Sequence, residues 1–170
     1  MDLNTEEWKR EDVEGKMEAS SIKGGSPACV VGSCAYFFAV NEEGGSIVDF
    51  VWQFDCESKK IGKVKVRGRC PTGRDSGIFN LPGTNVIFGF GGQFGNSYDR
   101  EFSLSALDLG KCEIVEILPP QKFLQENTLV PFWSTTQVYP TNRSCIQTCV
   151  FDGYVWSFGG FARGRKFNDV

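Results

Sequence analysis

Two short segments decide how this chain folds: "VIFGFGGQFG" (Val86–Gly95) and "YVWSFGGFARG" (Tyr154–Gly164). Each is an apolar alternation that ends in two glycines and continues with an aromatic side chain. Alternation with a period of two is typical of a β-strand with two different faces. A glycine pair at a strand end allows a positive φ or the close approach of a neighbouring backbone. The two segments therefore predict the same strand in two copies of one repeat.

A second pair of similar segments lies upstream of the first pair. The segments "PTGRDSG" and "PTNRSC" begin at Pro71 and Pro140 and contain Arg74 and Arg143. The two arginines precede the glycine pairs by nearly the same distance, 17 and 16 residues. Two separate markers that recur at one internal distance indicate an internal repeat.

A third, weaker copy covers Ala28–Val40, where Ala39 and Val40 stand in the place of the glycine pair. It is followed by a predicted third strand around Trp52 and by a polar turn, "DCESKK", that leads into a fourth strand. The opening segment "DLNTEEW", which ends at Trp8, has the same spacing as that turn. We therefore expect the chain to open in the second half of one repeat and to close in the first half of another.

Each repeat is predicted to form a four-stranded antiparallel sheet, because short apolar runs alternate with turns rich in Gly, Asp, Asn and Ser. Helical patterns are almost absent, so the predicted fold class is all-β. The predicted divisions are 1–20 as the end of a repeat, 26–70 and 74–117 as complete repeats, 118–140 as an insertion and 143–170 as the start of a repeat. The large aromatic side chains expected to fill the gaps between sheets are Trp8, Trp52, Phe88, Phe90, Trp156 and Phe158.

This ordered recurrence resembles the kelch-repeat β-propeller family over nearly the whole chain. The residues that carry the resemblance are Gly91, Gly92, Gly159, Gly160, Trp8, Trp52, Arg74 and Arg143. The first complete repeat departs from the family pattern, because it lacks the glycine pair. The resemblance implies a kelch-type β-propeller fragment of about three blades, made of two complete and two half blades.

A propeller ring has about 4–8 blades, so such a fragment implies a longer parent protein, a second chain or an open stack of sheets. Kelch-like propellers act mostly as protein-binding scaffolds. The resemblance therefore implies a protein or peptide partner and no catalytic activity. Self-association through open blade faces is a further expectation, because exposed apolar faces favour association.

Binding in this family uses loops at one rim, which here follow the second strands at 41–47, 93–101 and 161–167. The candidate partner-binding residues are Phe94, Tyr98, Arg100, Phe161, Arg163, Arg165 and Lys166. Arginine can pair with a carboxylate through two hydrogen bonds, and a phenylalanine can serve as an apolar anchor. Arg163 and Arg165 are thus able to pair with an acidic peptide; a solvated turn is the alternative, and the identity of the partner stays open. Arg74 and Arg143, at the starts of first strands, are expected to make structural pairings instead.

The composition limits the chemistry, because the chain contains no histidine. Ser-His-Asp and Cys-His catalysis and histidine-containing metal sites, including the copper site of copper radical oxidases, are therefore excluded. No cofactor or metal is expected, since Asp and Glu form no clustered pattern. Two alternatives to a binding scaffold stay open: a fragment of a propeller-borne metal-dependent enzyme, and a truncated propeller without function.

The net charge of −3 argues against nucleic-acid or anionic-membrane partners, which need a positive surface field. Seven cysteines, an odd number with no CxxC and no signal-peptide pattern, predict a reducing, cytoplasmic location. A zinc site made of Cys29, Cys34, Cys145 and Cys149 is disfavoured by its spacing. No apolar run approaches the ~18 residues that a membrane helix needs.

Overall fold

The computed structural model describes residues 4–8, 10–17, 25–38, 49–68, 75–92, 104–117, 143–162 and 164–170. Every helix or strand found in these ranges is a β-strand, which confirms the all-β prediction for this part of the chain. The strands are β1 (Ala28–Val31), β2 (Cys34–Phe37), β3 (Phe50–Asp55), β4 (Lys60–Lys65), β5 (Gly77–Asn80), β6 (Val86–Phe90), β7 (Leu104–Asp108), β8 (Glu113–Ile117), β9 (Gln147–Phe151), β10 (Tyr154–Phe158), β11 (Phe161–Ala162) and β12 (Arg165–Lys166).

Eight of these strands form two antiparallel sheets with the same topology. Sheet I has the order β1-β2-β3-β4, and sheet II has the order β5-β6-β7-β8. Two further pairs follow: the third ladder, which consists of β9 and β10, and a small hairpin of β11 and β12. Residues 26–70 and 74–117 thus each contain one four-stranded antiparallel sheet.

The turns between third and fourth strands repeat in detail, because an aspartate caps each of them. Asp55 accepts hydrogen bonds from the backbone N–H groups of Glu57 and Ser58, and Asp108 accepts them from Gly110 and Lys111. These bonds lower the pKa of both carboxyl groups, because they favour the ionised form. The polar turn predicted from "DCESKK" is therefore confirmed.

The backbone conformation extends this repeat to the first described residues. Glu6, Lys59 and Cys112 all have positive φ, at 59°, 57° and 51°, and they are separated by equal sequence intervals. Few non-glycine residues adopt this conformation, so three equally spaced examples mark one turn in three copies. Residues 4–8, the described part of the opening segment, thus have the turn conformation that the spacing predicted.

The second strands occupy equivalent positions in all three copies. Phe90 pairs with Gly77, Phe158 pairs with Gln147, and the Phe38 N–H donates to the Pro27 carbonyl at 3.1 Å. Phe38 therefore corresponds to Phe90 and Phe158, while Ala39 and Val40, predicted to stand in the place of the glycine pair, lie outside the described residues.

Sheets I and II pack face to face around a shared apolar core. The fully or nearly fully buried members of this core are Tyr36, Phe38, Val51 and Val66 from sheet I and Ile87, Leu107 and Ile114 from sheet II. The first strands of successive sheets, β1, β5 and β9, also contact one another. The sheets therefore lie against one another with their first strands adjacent.

A second repeated contact joins the fourth strand of each sheet to the chain segment that precedes the sheet. It links Arg67 to β8 and Glu14 to β4. The Arg67 N–H donates to the Cys112 carbonyl, and the Ile114 N–H donates to the Arg67 carbonyl. Glu14 makes the same two bonds with Lys59 and Ile61. Residues 14–15 therefore hold the same position relative to sheet I as residues 67–68 hold relative to sheet II.

A glycine follows the bridging residue in both copies of this edge contact. A Cβ added to Gly68 would collide with the Ile114 carbonyl oxygen, and a Cβ added to Gly15 would collide with that of Ile61. The two copies carry an ion pair at the same place with the signs reversed. Glu14 pairs with Lys60 at 3.0 Å, and Arg67 pairs with Glu113 at 4.0 Å.

The prediction that six aromatic side chains fill the gaps between sheets is only partly correct. Phe90 is buried and Phe88 is half-buried on the face of sheet II that meets the third ladder, as expected. Trp52 is buried too, but on the face of sheet I that points away from sheet II, where it contacts Phe50 and Lys63 of its own sheet. Trp8, Trp156 and Phe158 are exposed, so the prediction is wrong for these three. The reason is the same at both ends: within the described residues, no further sheet packs on the outer face of the third ladder or in front of residues 4–8.

The arginine match in the sequence is one residue out of register with the backbone. Asp75 and Cys145 have the same positive φ, near 59° and 55°, and Gly25 has 84°. The Asp75 N–H donates to the Gly25 carbonyl, and the Cys145 N–H donates to the Asp75 carbonyl. Asp75 therefore corresponds to Cys145. The alignment of Arg74 with Arg143 had instead implied that Asp75 corresponds to Ser144. Arg74 itself lies outside the described residues.

Candidate binding surface

Arg143 organises the last part of the described chain through hydrogen bonds and an ion pair within the fold. The side chain is buried, and its Nη1 donates to the Gly159 carbonyl at 3.0 Å and to Asp169 Oδ1 at 2.6 Å. Its Nη2 donates to Asp169 Oδ2 at 3.2 Å, which completes a bidentate pair. The guanidinium carbon lies 4.1 Å from the centre of the Phe167 ring, a cation–π geometry. Arg143 thus fixes residues 167–169 against the glycine pair.

The two glycine pairs both close on Arg143, which explains why side chains are missing there. The Gly92 N–H donates to the Arg143 carbonyl at 2.9 Å, and a Cβ on Gly91 would collide with that carbonyl oxygen. A Cβ on Gly160 would lie 2.7 Å from Cδ of Arg143. Both pairs also have positive φ, which glycine adopts without strain. The predicted role of the glycine pairs in close backbone approach is therefore seen directly.

The hairpin of β11 and β12 projects from this anchored corner. The backbone of Phe161 exchanges hydrogen bonds with Ser144 at 2.7 and 2.9 Å, and the Phe167 N–H donates to the Gly160 carbonyl. Phe161 is half-buried, whereas Arg165 and Lys166 are exposed. The hairpin therefore holds two cationic side chains on a base that is fixed at both ends.

The charge distribution at this corner is uneven. The hydrogen bonds from Arg143 lower the pKa of Asp169, although partial burial opposes them, so this carboxylate stays ionised at neutral pH. Asp169 pairs with Arg143, and the charge of Arg165 also contributes to lowering the pKa of Asp169. The guanidinium carbon of Arg165 lies 5.8 Å from the centre of the Phe167 ring, and Lys166 adds a third positive charge. The exposed end of the hairpin is consequently cationic beside an aromatic ring.

Three of the seven predicted partner-binding residues lie in the described part of the chain, and the structure brings them together on this hairpin. They are Phe161, Arg165 and Lys166. The other four, Phe94, Tyr98, Arg100 and Arg163, lie outside the described residues, as do the loops 41–47 and 93–101. Sequence reasoning did not predict that Phe167 and Asp169 would form the base of the hairpin, because both depend on a contact with Arg143.

Besides the hairpin, a concave depression lies where the first strands β1, β5 and β9 begin. It has a volume of 410 Å³ and is lined by four consecutive residues from each copy: 25–28, 75–78 and 145–148. Sequence reasoning missed this depression, although the repeat itself contained the signal, since equivalent strand starts must converge when sheets stack around an axis. Its lining is mostly uncharged, and Asp75 supplies its carboxylate.

No family model and no curated protein matches the chain. Over the described ranges, no three Cys, Asp or Glu side chains are grouped closely enough to hold a metal ion. A search of the same residues for a helix long and apolar enough to cross a membrane found none.

Proposed function

We propose that this chain is part of a kelch-type β-propeller and acts as a protein-binding scaffold. The observation that carries the proposal is the structural repeat: two sheets of one topology and a third ladder in the same register pack in succession. Their first strands are adjacent, and three equivalent quartets of residues line one depression. This is the arrangement expected of blades that radiate from an axis, with the first strand of each blade innermost.

The Arg143-anchored hairpin is the proposed contact site. Arg165 can form a bidentate pair with a carboxylate, and Lys166 adds a second positive charge. Phe161 and Phe167 give the site an apolar component beside these charges. The preferred ligand is an acidic peptide segment that contains an aromatic or aliphatic residue. A cytoplasmic setting is part of the same proposal, and the described cysteines are free thiols.

The test is a binding titration with a fluorescent peptide in which Asp and Glu alternate with Phe and Leu. We expect binding that weakens as salt is raised, because exposed charges are screened. The double variant Arg165→Ala/Lys166→Ala should weaken binding at least about tenfold, which corresponds to about 1.4 kcal/mol. The matched control is Arg10→Ala/Lys16→Ala, which removes one arginine and one lysine from exposed positions elsewhere.

Equal loss of binding in both double variants would show that only net charge matters and would contradict a site on the hairpin. Unchanged binding in the Arg165→Ala/Lys166→Ala variant would contradict it as well. A peptide with the same composition but with Asn and Gln in place of the acids should bind to neither variant nor to the original chain.

A further inference from the structure

The third ladder has one face that is open to solvent and strongly apolar. The strand register places Phe151 opposite Tyr154, Cys149 opposite Trp156, and Gln147 opposite Phe158, so all six side chains share one face. The four aromatic members are exposed by 71% (Phe151), 67% (Tyr154), 47% (Trp156) and 57% (Phe158). We call these six residues the open face. Its exposed aromatic surface is about 360–600 Å², if each side chain offers about 150–250 Å² in full. That is as large as the biggest apolar patch of a typical monomer, which is often functional.

The same positions in the earlier copies are covered by the next sheet. Phe158 corresponds to Phe38 and Phe90, which are only 1% and 5% exposed. Phe38 belongs to the core between sheets I and II. In sheet II the face that contains Phe90 meets the third ladder, because a Cβ on its strand partner Gly77 would lie 2.6 Å from Thr148. The open face is therefore one half of an interface that the chain already forms twice.

The other half of that interface is exposed at the opposite end of the chain. Ile78 and Ile87 of sheet II face sheet I, and their equivalents in sheet I are Ala28 and Ala35. Val30 lies on the same face, directly opposite Ala35, and is 62% exposed. This surface of β1 and β2 also carries the half-buried Phe37, the strand partner of Ala28. It is therefore apolar throughout and can pack against the aromatic side chains of the open face.

Residues 4–17 lie beside this receiving surface and repeat the outer part of a sheet. Glu6 has the turn conformation of Lys59 and Cys112, and Glu14 is bonded to sheet I as Arg67 is bonded to sheet II. Trp8 corresponds to Ile114, which is buried, yet Trp8 itself is almost fully exposed. The chain thus carries the outer part of a sheet at one end and the inner part, the third ladder, at the other.

We infer that two copies of this chain associate head to tail, with the open face of each copy packed on the β1–β2 surface of the other. In this arrangement, residues 4–17 of one copy complete the sheet that the third ladder of the partner begins. Two copies then close a ring of roughly six blades, within the range of about 4–8 that propellers adopt. The inference rests on the propeller arrangement proposed above but not on the peptide ligand.

The test is the mass of the protein in solution, measured by sedimentation velocity and light scattering over a range of concentrations. We expect a reversible monomer–dimer equilibrium with no larger species, because a ring that closes at two copies leaves no free face. The variants Trp156→Glu and Val30→Glu should each shift the chain to monomer, since each places a charge in a contact that would be buried. Both positions are exposed in the single chain, so circular dichroism should show an unchanged fold. Asn85→Glu, an exposed loop position outside both faces, is the matched control and should dimerise normally.

A mixture of the two variants distinguishes this arrangement from other modes of association. Trp156→Glu keeps an intact β1–β2 surface and Val30→Glu keeps an intact open face, so the mixture should recover dimer through one good contact. Pairing of two open faces predicts instead that Val30→Glu dimerises normally and that mixing has no effect. That result, or a monomer at every concentration, would overturn the inference. The peptide titration, repeated on the monomeric variants, tests the proposed function separately.

Discussion

The strands β6 and β10 have the same sequence pattern, but different parts of the structure surround them. Phe90 at the end of β6 is covered by the third ladder, whereas Phe158 at the end of β10 is exposed. Both strands end in a glycine pair with positive φ, so their local conformation is the same. The comparison shows that pattern and turn chemistry determine the strand, and that a neighbouring sheet determines whether its aromatic side chains become core.

The largest effect expected from this comparison is a difference between Phe38→Ala and Phe158→Ala. Loss of the fully buried Phe38 ring should lower the free energy of unfolding by ~3–5 kcal/mol, through lost burial and a cavity. Phe158→Ala should change it by about 0.5 kcal/mol or less at concentrations where the chain is monomeric. Urea denaturation of both variants measures this difference. Equal losses would mean that the open face is covered within a single chain.

A smaller difference is expected between Gly91→Ala and Gly153→Ala. Both glycines have positive φ, so each substitution carries conformational strain of about 1–2 kcal/mol. Only Gly91 also lies against a backbone carbonyl, that of Arg143, while the space around Gly153 is open. Gly91→Ala should therefore lower the free energy of unfolding by about 1–3 kcal/mol more than Gly153→Ala. This is the range of energies that a strained backbone costs. Equal values in thermal or urea denaturation would contradict the close approach that joins sheet II to Arg143.

Within the described part of the chain the third ladder has no covering sheet, but it has the Arg143–Asp169 pair, whose contribution to stability should depend on pH. The pKa of Asp169 is lowered in the folded state, so the pair stabilises the fold above the unfolded pKa of about 3.9. This contribution is lost as the pH falls through the folded-state pKa. Asp169→Asn should cost about 1 kcal/mol or less at neutral pH, because Asp169 is largely exposed, and should cost nothing in strong acid. A pH-independent difference between the two proteins would show that the pair does not stabilise the fold.

The smallest effect concerns two cysteines at equivalent positions, Cys29 on β1 and Cys149 on β9. Burial raises the pKa of Cys29, whereas Cys149 is exposed on the open face. Because the thiolate is the reactive form, Cys149 should be alkylated severalfold faster at neutral pH, as mass spectrometry of the peptides would show. At concentrations where two copies associate, labelling of Cys149 should slow and that of Cys56, in an exposed turn, should not. Equal alkylation rates of Cys29 and Cys149 at all concentrations would contradict the claim that the face with Cys29 is covered and the face with Cys149 is open.

Much of this architecture could be predicted from particular residues. The alternation in Val86–Phe90 and Tyr154–Phe158 predicted strands that the structure contains, and the aspartate of "DCESKK" predicted a turn that it caps. These features depend on neighbours close in sequence, so a single segment contains enough information. The match of Arg74 with Arg143 was misplaced by one residue, because only the hydrogen bonds of Asp75 and Cys145 set the register.

Of the proposed contact site, the sequence indicated the cations but not what holds them. Arg165 and Lys166 stand out in a short basic segment beside aromatic residues, and the structure places them on one hairpin. The bidentate pair between Arg143 and Asp169 joins residues far apart in the sequence. No local pattern marks such a pair, because it forms only when β9 and β10 bring the two segments together.

The sequence by itself determined the strands, the turns and their repetition, because apolar alternation, glycine and capping aspartates act over a few residues. The tertiary structure alone decided which of the equivalent aromatic side chains are buried, since burial requires a second surface and not a pattern. Phe38, Phe90 and Phe158 stand at the same position of the repeat, and within the described residues only the first two are covered by another sheet.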